Sequence, residues 1–247
     1  MPHIISIALT ILLLLASQQA DAQDITVGMD DNYEPFSFID KTSYSGFDVD
    51  IMSALCDIMG IGFTIKPMPF QDLVPALRQG KLDAAMAGIA ITDKRTSHVA
   101  FSDPYFHGGQ RMLVAANTTG FFTVDGLKGK NVGTKLGSDG SFFLYDNVPD
   151  ATVSLFPHIS DAYDELIHGR LDAIFFDSSA IGYFAMTKGK DKVRPLGPLY
   201  ESQPYGIALP KDSLWIARFN DALWRIRENG TYKTIYYKWF GELPDDH

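Results

Sequence analysis

The segment LRQGKLDAAMAG, residues 77–88, has a counterpart in LIHGRLDAIFFD, residues 166–177. Both follow the pattern Leu-x-x-Gly-Lys/Arg-Leu-Asp-Ala. In each copy an amphipathic helical pattern ends at a glycine typical of a helix C-terminus, and an apolar strand pattern follows. A second pair precedes them in the same order, VGMD at 27–30 and VGTK at 132–135. The repeated order predicts two α/β lobes, in which crossover helices join parallel strands.

The alternative is a single α/β domain that merely repeats helix-glycine-strand units. After Tyr205, the sequence shows a strand pattern, GIALP, and then an amphipathic helix pattern from Leu214 to Glu228. We expect this final part to return to the first lobe.

Composition and the N-terminus limit the class of protein. The chain has 247 residues, is 46% hydrophobic and carries a formal charge of −9, which disfavours a nucleic-acid partner. The apolar block from Ile4 to Ala16 is shorter than the roughly 20 residues that span a bilayer. A small-x-small pattern ends at Ala22, so residues 1–22 are predicted to be a cleaved signal peptide and the mature protein to be periplasmic. The one cysteine, Cys56, can form no internal disulfide and fits a helical core pattern.

Ligands of open parallel sheets bind beyond the carboxyl ends of the strands. Applied to both lobes, this rule selects Asp30 and the pair Ala87-Gly88 in the first lobe, and Lys135 and the pair Phe176-Asp177 in the second. The set contains both charges. A zwitterionic ligand would suit it.

Arg95 closes the segment AAMAGIAITDKR, residues 84–95, in which a buried strand pattern turns directly into a helix start. Thr92 is the expected N-cap, and a guanidinium at this place suits a ligand carboxylate. The alternative is a surface arginine paired with Asp93 or Asp103. On the other lobe, Asp177 would accept from an ammonium or cap the helix that follows it.

Other residues suggest binding more than catalysis. Tyr33 and Phe70 follow strand ends, where their rings could enclose the aliphatic part of a ligand. The glycine-bearing loop at 135–141 could present N–H groups to an anion, although it lacks the spacing of a phosphate-binding P-loop. No metal-ligand spacing or catalytic motif is present, so we expect no cofactor, no metal site and no catalytic residue.

The motifs DDNYEPFSF, GFDVDIMSALC, AFSDPYF and RENGTYKTIYYKWFG, with the long segment around 66–95, resemble the periplasmic solute-binding proteins of polar amino-acid ABC importers. The similarity runs from Asp24 to Pro244 and is greatest to glutamine-binding members. It implies an α/β fold of the type II periplasmic-binding-protein class, with two mainly parallel sheets flanked by helices and joined by two crossover strands. Lobe 1 would comprise 24–109 plus 204–247, and lobe 2 would comprise 112–201.

The resemblance also implies roles for single residues. Arg95 matches the clamp for the α-carboxylate, and Asp177 matches the acceptor of the α-ammonium. Tyr33 and Phe70 match the aromatic residues that stack on the ligand. Ala87 and Gly88 match positions that contact it through the backbone. Asp30 and Lys135 match positions that contact its side chain. Three positions depart from the glutamine-binding pattern, since Ala90 replaces Ser or Thr, Phe176 replaces His, and Asp139 replaces a small residue.

The implied function is capture of an L-α-amino acid, glutamine or another polar one, between two closing lobes, and its delivery to a membrane ABC permease. We expect a monomer without enzymatic activity. One alternative is an enzyme on the same scaffold, similar to cyclohexadienyl or arogenate dehydratase. Another is a sensor module acting through a separate membrane partner.

Overall fold

The structure, a computed structural model, describes residues 24–120 and 123–244; the predicted signal peptide lies outside these ranges. The elements up to the second sheet are β1 (Ile25–Met29), β2 (Asn32–Tyr33), β3 (Ser37–Asp40), β4 (Ser43–Ser45), α1 (Phe47–Met59), β5 (Phe63–Pro67), α2 (Phe70–Arg78), β6 (Ala84–Ala85), α3 (Asp93–Thr96) and β7 (Ala100–Phe101). The following elements are β8 (Phe106–Ala115), a 3-10 helix (Val124–Leu127), β9 (Asn131–Lys135), α4 (Asp139–Asn147), β10 (Thr152–Phe156), α5 (Ile159–Ile167), β11 (Ala173–Asp177), α6 (Ser178–Met186), β12 (Val193–Tyr205), β13 (Ala208–Leu209), α7 (Trp215–Glu228) and α8 (Thr231–Phe240).

Two five-stranded sheets form the two lobes. Their strand orders are β5-β1-β6-β13-β7 and β10-β9-β11-β8-β12, and β2, β3 and β4 form a separate small sheet. In each large sheet the first two pairings are parallel and the last two antiparallel. The two-lobed fold is therefore confirmed, but each sheet is mixed rather than mainly parallel. The long strands β8 and β12 pair from Phe106–Tyr205 to Ala115–Val193 and lead from one lobe into the other.

The repeated sequence pattern makes the same contacts in both lobes. Asp83 accepts a hydrogen bond from the N–H of Thr26 at 2.8 Å, and Asp172 does the same for Asn131 at 2.8 Å. Each aspartate thus connects the start of one strand, β1 or β9, to the chain just before a parallel neighbour of that strand, β6 or β11. Because Leu82 and Leu171 cover Gly28 and Gly133, a Cβ at either glycine would lie 2.5 Å from a leucine methyl.

The apolar segment that precedes Arg95 differs from its prediction. Residues 84–90 are buried, but strand pairing ends at Ala85, and only Ala90 forms a further isolated bridge, with Tyr205. Beyond Ala85 the chain bends at Ala87 and Gly88 and leads toward the cleft between the lobes. It places the single turn α3 there, with Thr92 as its N-cap accepting from the N–H of Arg95 at 3.3 Å.

The C-terminal part returns to the first lobe as predicted. Strand β13 pairs with β6 and β7, and α7 and α8 pack against α1. Cys56 is buried in α1. Within residues 24–120 and 123–244, no helix is long and apolar enough to cross a membrane.

Candidate functional site

A small cavity of about 20 Å³, with room for about one water molecule, lies between the lobes at the strand ends that the sequence selects. Its walls include seven predicted residues: Tyr33, Phe70, Gly88, Lys135, Asp139, Phe176 and Asp177. Gln110, Ser138 and Tyr205 complete it. Arg95 lines a neighbouring cleft of about 240 Å³, which shares Phe70 and Asp139 with this cavity. The site therefore combines aromatic rings with charged groups from both lobes.

Aromatic rings form two walls of the cavity. The Tyr33 ring stacks on Phe36 at a centroid distance of 4.8 Å and meets the Phe176 ring edge-on at 5.6 Å across the cleft. Phe70 begins α2, and its ring centroid lies 5.4 Å from the guanidinium carbon of Arg95. Such rings suit the apolar part of a ligand or a cation above a ring face.

Asp177 presents a buried carboxylate to the cavity. Its Oδ1 accepts hydrogen bonds from the N–H groups of Ser179 and Ala180, both at 2.9 Å, so the predicted capping role is real. Its Oδ2 accepts a short hydrogen bond from the hydroxyl of Tyr205. Burial raises the pKa of Asp177 to about 6, and the hydrogen bonds oppose that rise. Capping and ligand binding are compatible, because different lone pairs of the carboxylate serve each role.

Lys135 and Asp30 form an ion pair across the cleft, with 2.5 Å between Nζ and Oδ2. Both side chains are buried, at 2% and 1% exposure. The ammonium also donates to the carbonyl oxygen of Asn32 at 3.1 Å and lies 5.4 Å from the Tyr33 ring centroid. Burial lowers the pKa of Lys135, although Asp30 opposes that shift. Lys135 lines the cavity, whereas Asp30 does not.

Arg95 and Asp139 form the second ion pair between the lobes, with 3.0 Å between Nη1 and Oδ2. The same nitrogen donates to the carbonyl oxygen of Ala90 at 3.0 Å. Arg95 is 9% exposed, so it is not the surface arginine of the alternative interpretation, and its acidic partner is neither Asp93 nor Asp103.

Gly88 lies three residues beyond the end of β6 with a positive φ of 55°, and a Cβ there would lie 2.6 Å from the Tyr33 ring. Its N–H donates to Asp48 Oδ2 at 2.9 Å and to the Tyr105 hydroxyl at 3.2 Å. A ligand would therefore meet the carbonyl oxygen of Gly88. Ala87 is buried in a core cluster of the first lobe, and neither Ala87 nor Ala90 lines the cavity.

Sequence reasoning missed several polar residues of the site. Asp48 is fully buried behind Gly88, and burial raises its pKa to about 7. The helical spacing of 48, 51, 52 and 55 could have indicated an acid on the buried face of α1. Gln110 is 5% exposed, and its buried Oε1 accepts no hydrogen bond among the described residues. Its place on β8, opposite Asp177, becomes visible only through the antiparallel pairing.

In the part of the chain that the structure describes, no group of three or more His, Cys, Asp or Glu side chains is arranged to hold a metal ion.

Residues 25–242 match the sequence profile of the bacterial extracellular solute-binding proteins, family 3. The chain belongs to that family. Among its relatives, the arginine-binding periplasmic protein of Mannheimia haemolytica is 35% identical over 227 residues, covering 90% of this chain and 93% of that protein.

Two solved structures extend the comparison of this family 3 protein. An ancestral arginine-binding protein bound to glutamine superposes with a TM-score of 0.84 at 36% identity, covering 89% of this chain and 98% of that one. The ancestral amino acid-binding protein AncCDT-1, a precursor of cyclohexadienyl dehydratase, gives a TM-score of 0.83 at 33% identity, covering 88% and 95%. The family match, the two-lobed fold and the position of the cavity between the lobes therefore all indicate the same class of protein.

Proposed function

We propose that this family 3 protein is a periplasmic solute-binding protein that captures an L-α-amino acid between its lobes and delivers it to a membrane ABC permease. The observation that carries the proposal is the buried carboxylate of Asp177, which faces an aromatic cavity. Among the described residues, no cationic side chain forms an ion pair with it. An α-ammonium group would supply the missing positive charge.

The same proposal assigns the ligand's other groups. The carbonyl oxygen of Gly88 accepts a second ammonium hydrogen, and Arg95 binds the α-carboxylate through the edge of its guanidinium that Asp139 leaves open. Phe70 and Tyr33 enclose the aliphatic stem. The ligand's tip then approaches Lys135.

We propose glutamine, or another neutral polar amino acid, as the preferred ligand. Asp30 and Lys135 neutralise each other. A charged group at the end of the ligand side chain would therefore find no unpaired opposite charge near Lys135. An amide can donate to an acceptor such as the unpaired Oε1 of Gln110 and accept from Lys135. We expect glutamine to bind at least about tenfold more tightly than glutamate, lysine or arginine.

Arginine is the second candidate ligand, because the named relative from Mannheimia haemolytica is an arginine-binding protein. Calorimetric titration of the refolded, ligand-free protein with glutamine and arginine separates the two. Tighter binding of arginine would mean that the acids Asp139 and Asp177, not Lys135, dominate the pocket.

An enzyme on the same scaffold remains the alternative from a different class, since AncCDT-1 is described as a precursor of cyclohexadienyl dehydratase. Incubation with prephenate and arogenate, followed by chromatography, tests it. Product formation above the level of a heat-denatured control would establish a dehydratase.

A further inference from the structure

Asp139 holds the arginine to which the proposed function assigns the ligand carboxylate. The contact is direct, at 3.0 Å between Nη1 of Arg95 and Oδ2 of Asp139, and it joins α3 of one lobe to α4 of the other. The two side chains are 10% and 18% exposed, so water screens the pair only in part.

Local structure fixes Asp139 in this place. It is the first residue of α4, where the helix dipole favours a carboxylate. The preceding N-cap, Ser138, accepts from the N–H of Ser141 at 3.3 Å and donates to the carbonyl oxygen of Lys135 at 2.8 Å. One turn along the same helix, the Phe142 ring lies 3.8 Å below the Lys94 ammonium. Adjacent residues of α3 thus hold both Asp139 and Phe142.

The charged groups around the cavity therefore differ in whether they have a partner of opposite charge. Lys135 is matched by Asp30 and Arg95 by Asp139, whereas Asp177 is bound only by hydrogen-bond donors. A ligand ammonium therefore meets an unmatched anion. A ligand carboxylate meets a guanidinium that already has a carboxylate partner, and it must lie close to the negative charge of Asp139.

We propose that Asp139 sets the ligand class of this site by acting as an internal carboxylate on Arg95, so that primary amines without an α-carboxylate bind within about tenfold of the matching amino acids. This inference rests on the proposed function, because it concerns the same cavity and the same arginine. Removing the Asp139 charge should make the site selective for amino acids.

The test uses matched pairs that differ only in the α-carboxylate: L-glutamine with 4-aminobutanamide, and L-arginine with agmatine. Calorimetry on the full chain gives the affinity ratio of amino acid to amine for the parent, for Asp139→Asn and for the control Asp146→Asn. Asp146 is an exposed acid on the same helix. We expect Asp139→Asn to raise the ratio at least about tenfold, mainly through tighter amino-acid binding, and Asp146→Asn to leave it unchanged.

Asp139→Ser serves as a second variant, because serine also fits the first turn of a helix. A ratio that stays within threefold of the parent in both variants would overturn the inference while leaving amino-acid binding intact. If neither an amino acid nor an amine binds to any folded variant, the proposed function fails, and the inference fails with it.

Discussion

Two of the ion pairs that join the lobes include a side chain that lines the cavity, and they differ mainly in burial. Asp30–Lys135 is 1% and 2% exposed, whereas Arg95–Asp139 is 10% and 18% exposed and borders an open cleft. A fully buried pair is expensive to break, because each partner would be left charged without water. A partly exposed pair adjusts at lower cost when a second carboxylate approaches its arginine. We therefore assign a structural role to the first pair and a role in ligand binding to the second.

The largest expected effect is on the buried pair. Lys135→Met leaves Asp30 buried without its cation, and we expect the free energy of unfolding to fall by about 3–5 kcal/mol. Urea unfolding at pH 7 measures this. Lys130→Met is the control, since its pair with Asp172 is exposed and long at 3.8 Å, and it should cost less than about 1 kcal/mol. Equal losses in both variants would contradict the structural role of the buried pair.

Arg95→Ala should affect binding more than stability. The α-carboxylate would lose its charged partner and would lie beside the uncompensated charge of Asp139 in a partly desolvated cleft, so we expect affinity for the amino acid to fall on the order of a hundredfold or more. Calorimetry measures the loss, and Arg170→Ala, which removes an exposed arginine of the second lobe, is the control. An affinity within threefold of the parent would make Arg95 purely structural.

Stability should depend on pH through buried acids that lie outside both pairs. Burial raises the pKa of Asp48 from 3.8 to about 7 and that of Asp177 to about 6. The folded chain therefore binds more protons than the unfolded chain between about pH 4 and pH 7, and the free energy of unfolding falls as pH rises through that window. The slope is at most about 1.4 kcal/mol per pH unit for each group.

Asp48→Asn should flatten this slope, because the amide carries no titrating proton. Denaturant unfolding at pH 5, 6 and 7 gives the slopes of parent and variant. A parent whose stability rises steadily from pH 5 to pH 7 would show that these carboxyls are ionised without penalty.

The smallest effect is expected at a third contact between the lobes, the exposed pair of Lys188 and Glu34, with 2.6 Å between the charged atoms. Glu34→Gln should change ligand affinity and stability by less than about 1 kcal/mol, since solvent screens exposed pairs. Titration at low and high salt provides the measurement. A tenfold loss of affinity would mean that the effect of these contacts on ligand binding does not follow their burial.

The sequence predicted the lobes because their pattern is local and repeated. Asp83 and Asp172, each three residues after a helix-ending glycine, make the same contact in both lobes, so one pattern read twice is enough. The strand ends likewise located Tyr33, Gly88, Lys135 and Asp177 at the cavity.

The pairing of charges across the cleft could not be predicted in the same way. Arg95 and Asp139 are 44 positions apart and meet only because the two lobes approach each other. Gln110 reaches the cavity through antiparallel pairing opposite Asp177, which periodicity does not reveal. The backbone contact predicted for Ala87 and the missing hydroxyl contact predicted at Ala90 remain predictions.

The most direct test of the account is a thermal-shift screen of the twenty amino acids on protein that has been denatured, dialysed and refolded to remove any bound ligand. A ligand at about 100 times its dissociation constant stabilises the native state by about 2.7 kcal/mol, which corresponds to a Tm rise of roughly 5–10 °C for a chain of this size. We predict such a rise for glutamine or another neutral polar L-amino acid, and none for its D-enantiomer. An unchanged Tm with all twenty would contradict amino-acid capture between the lobes.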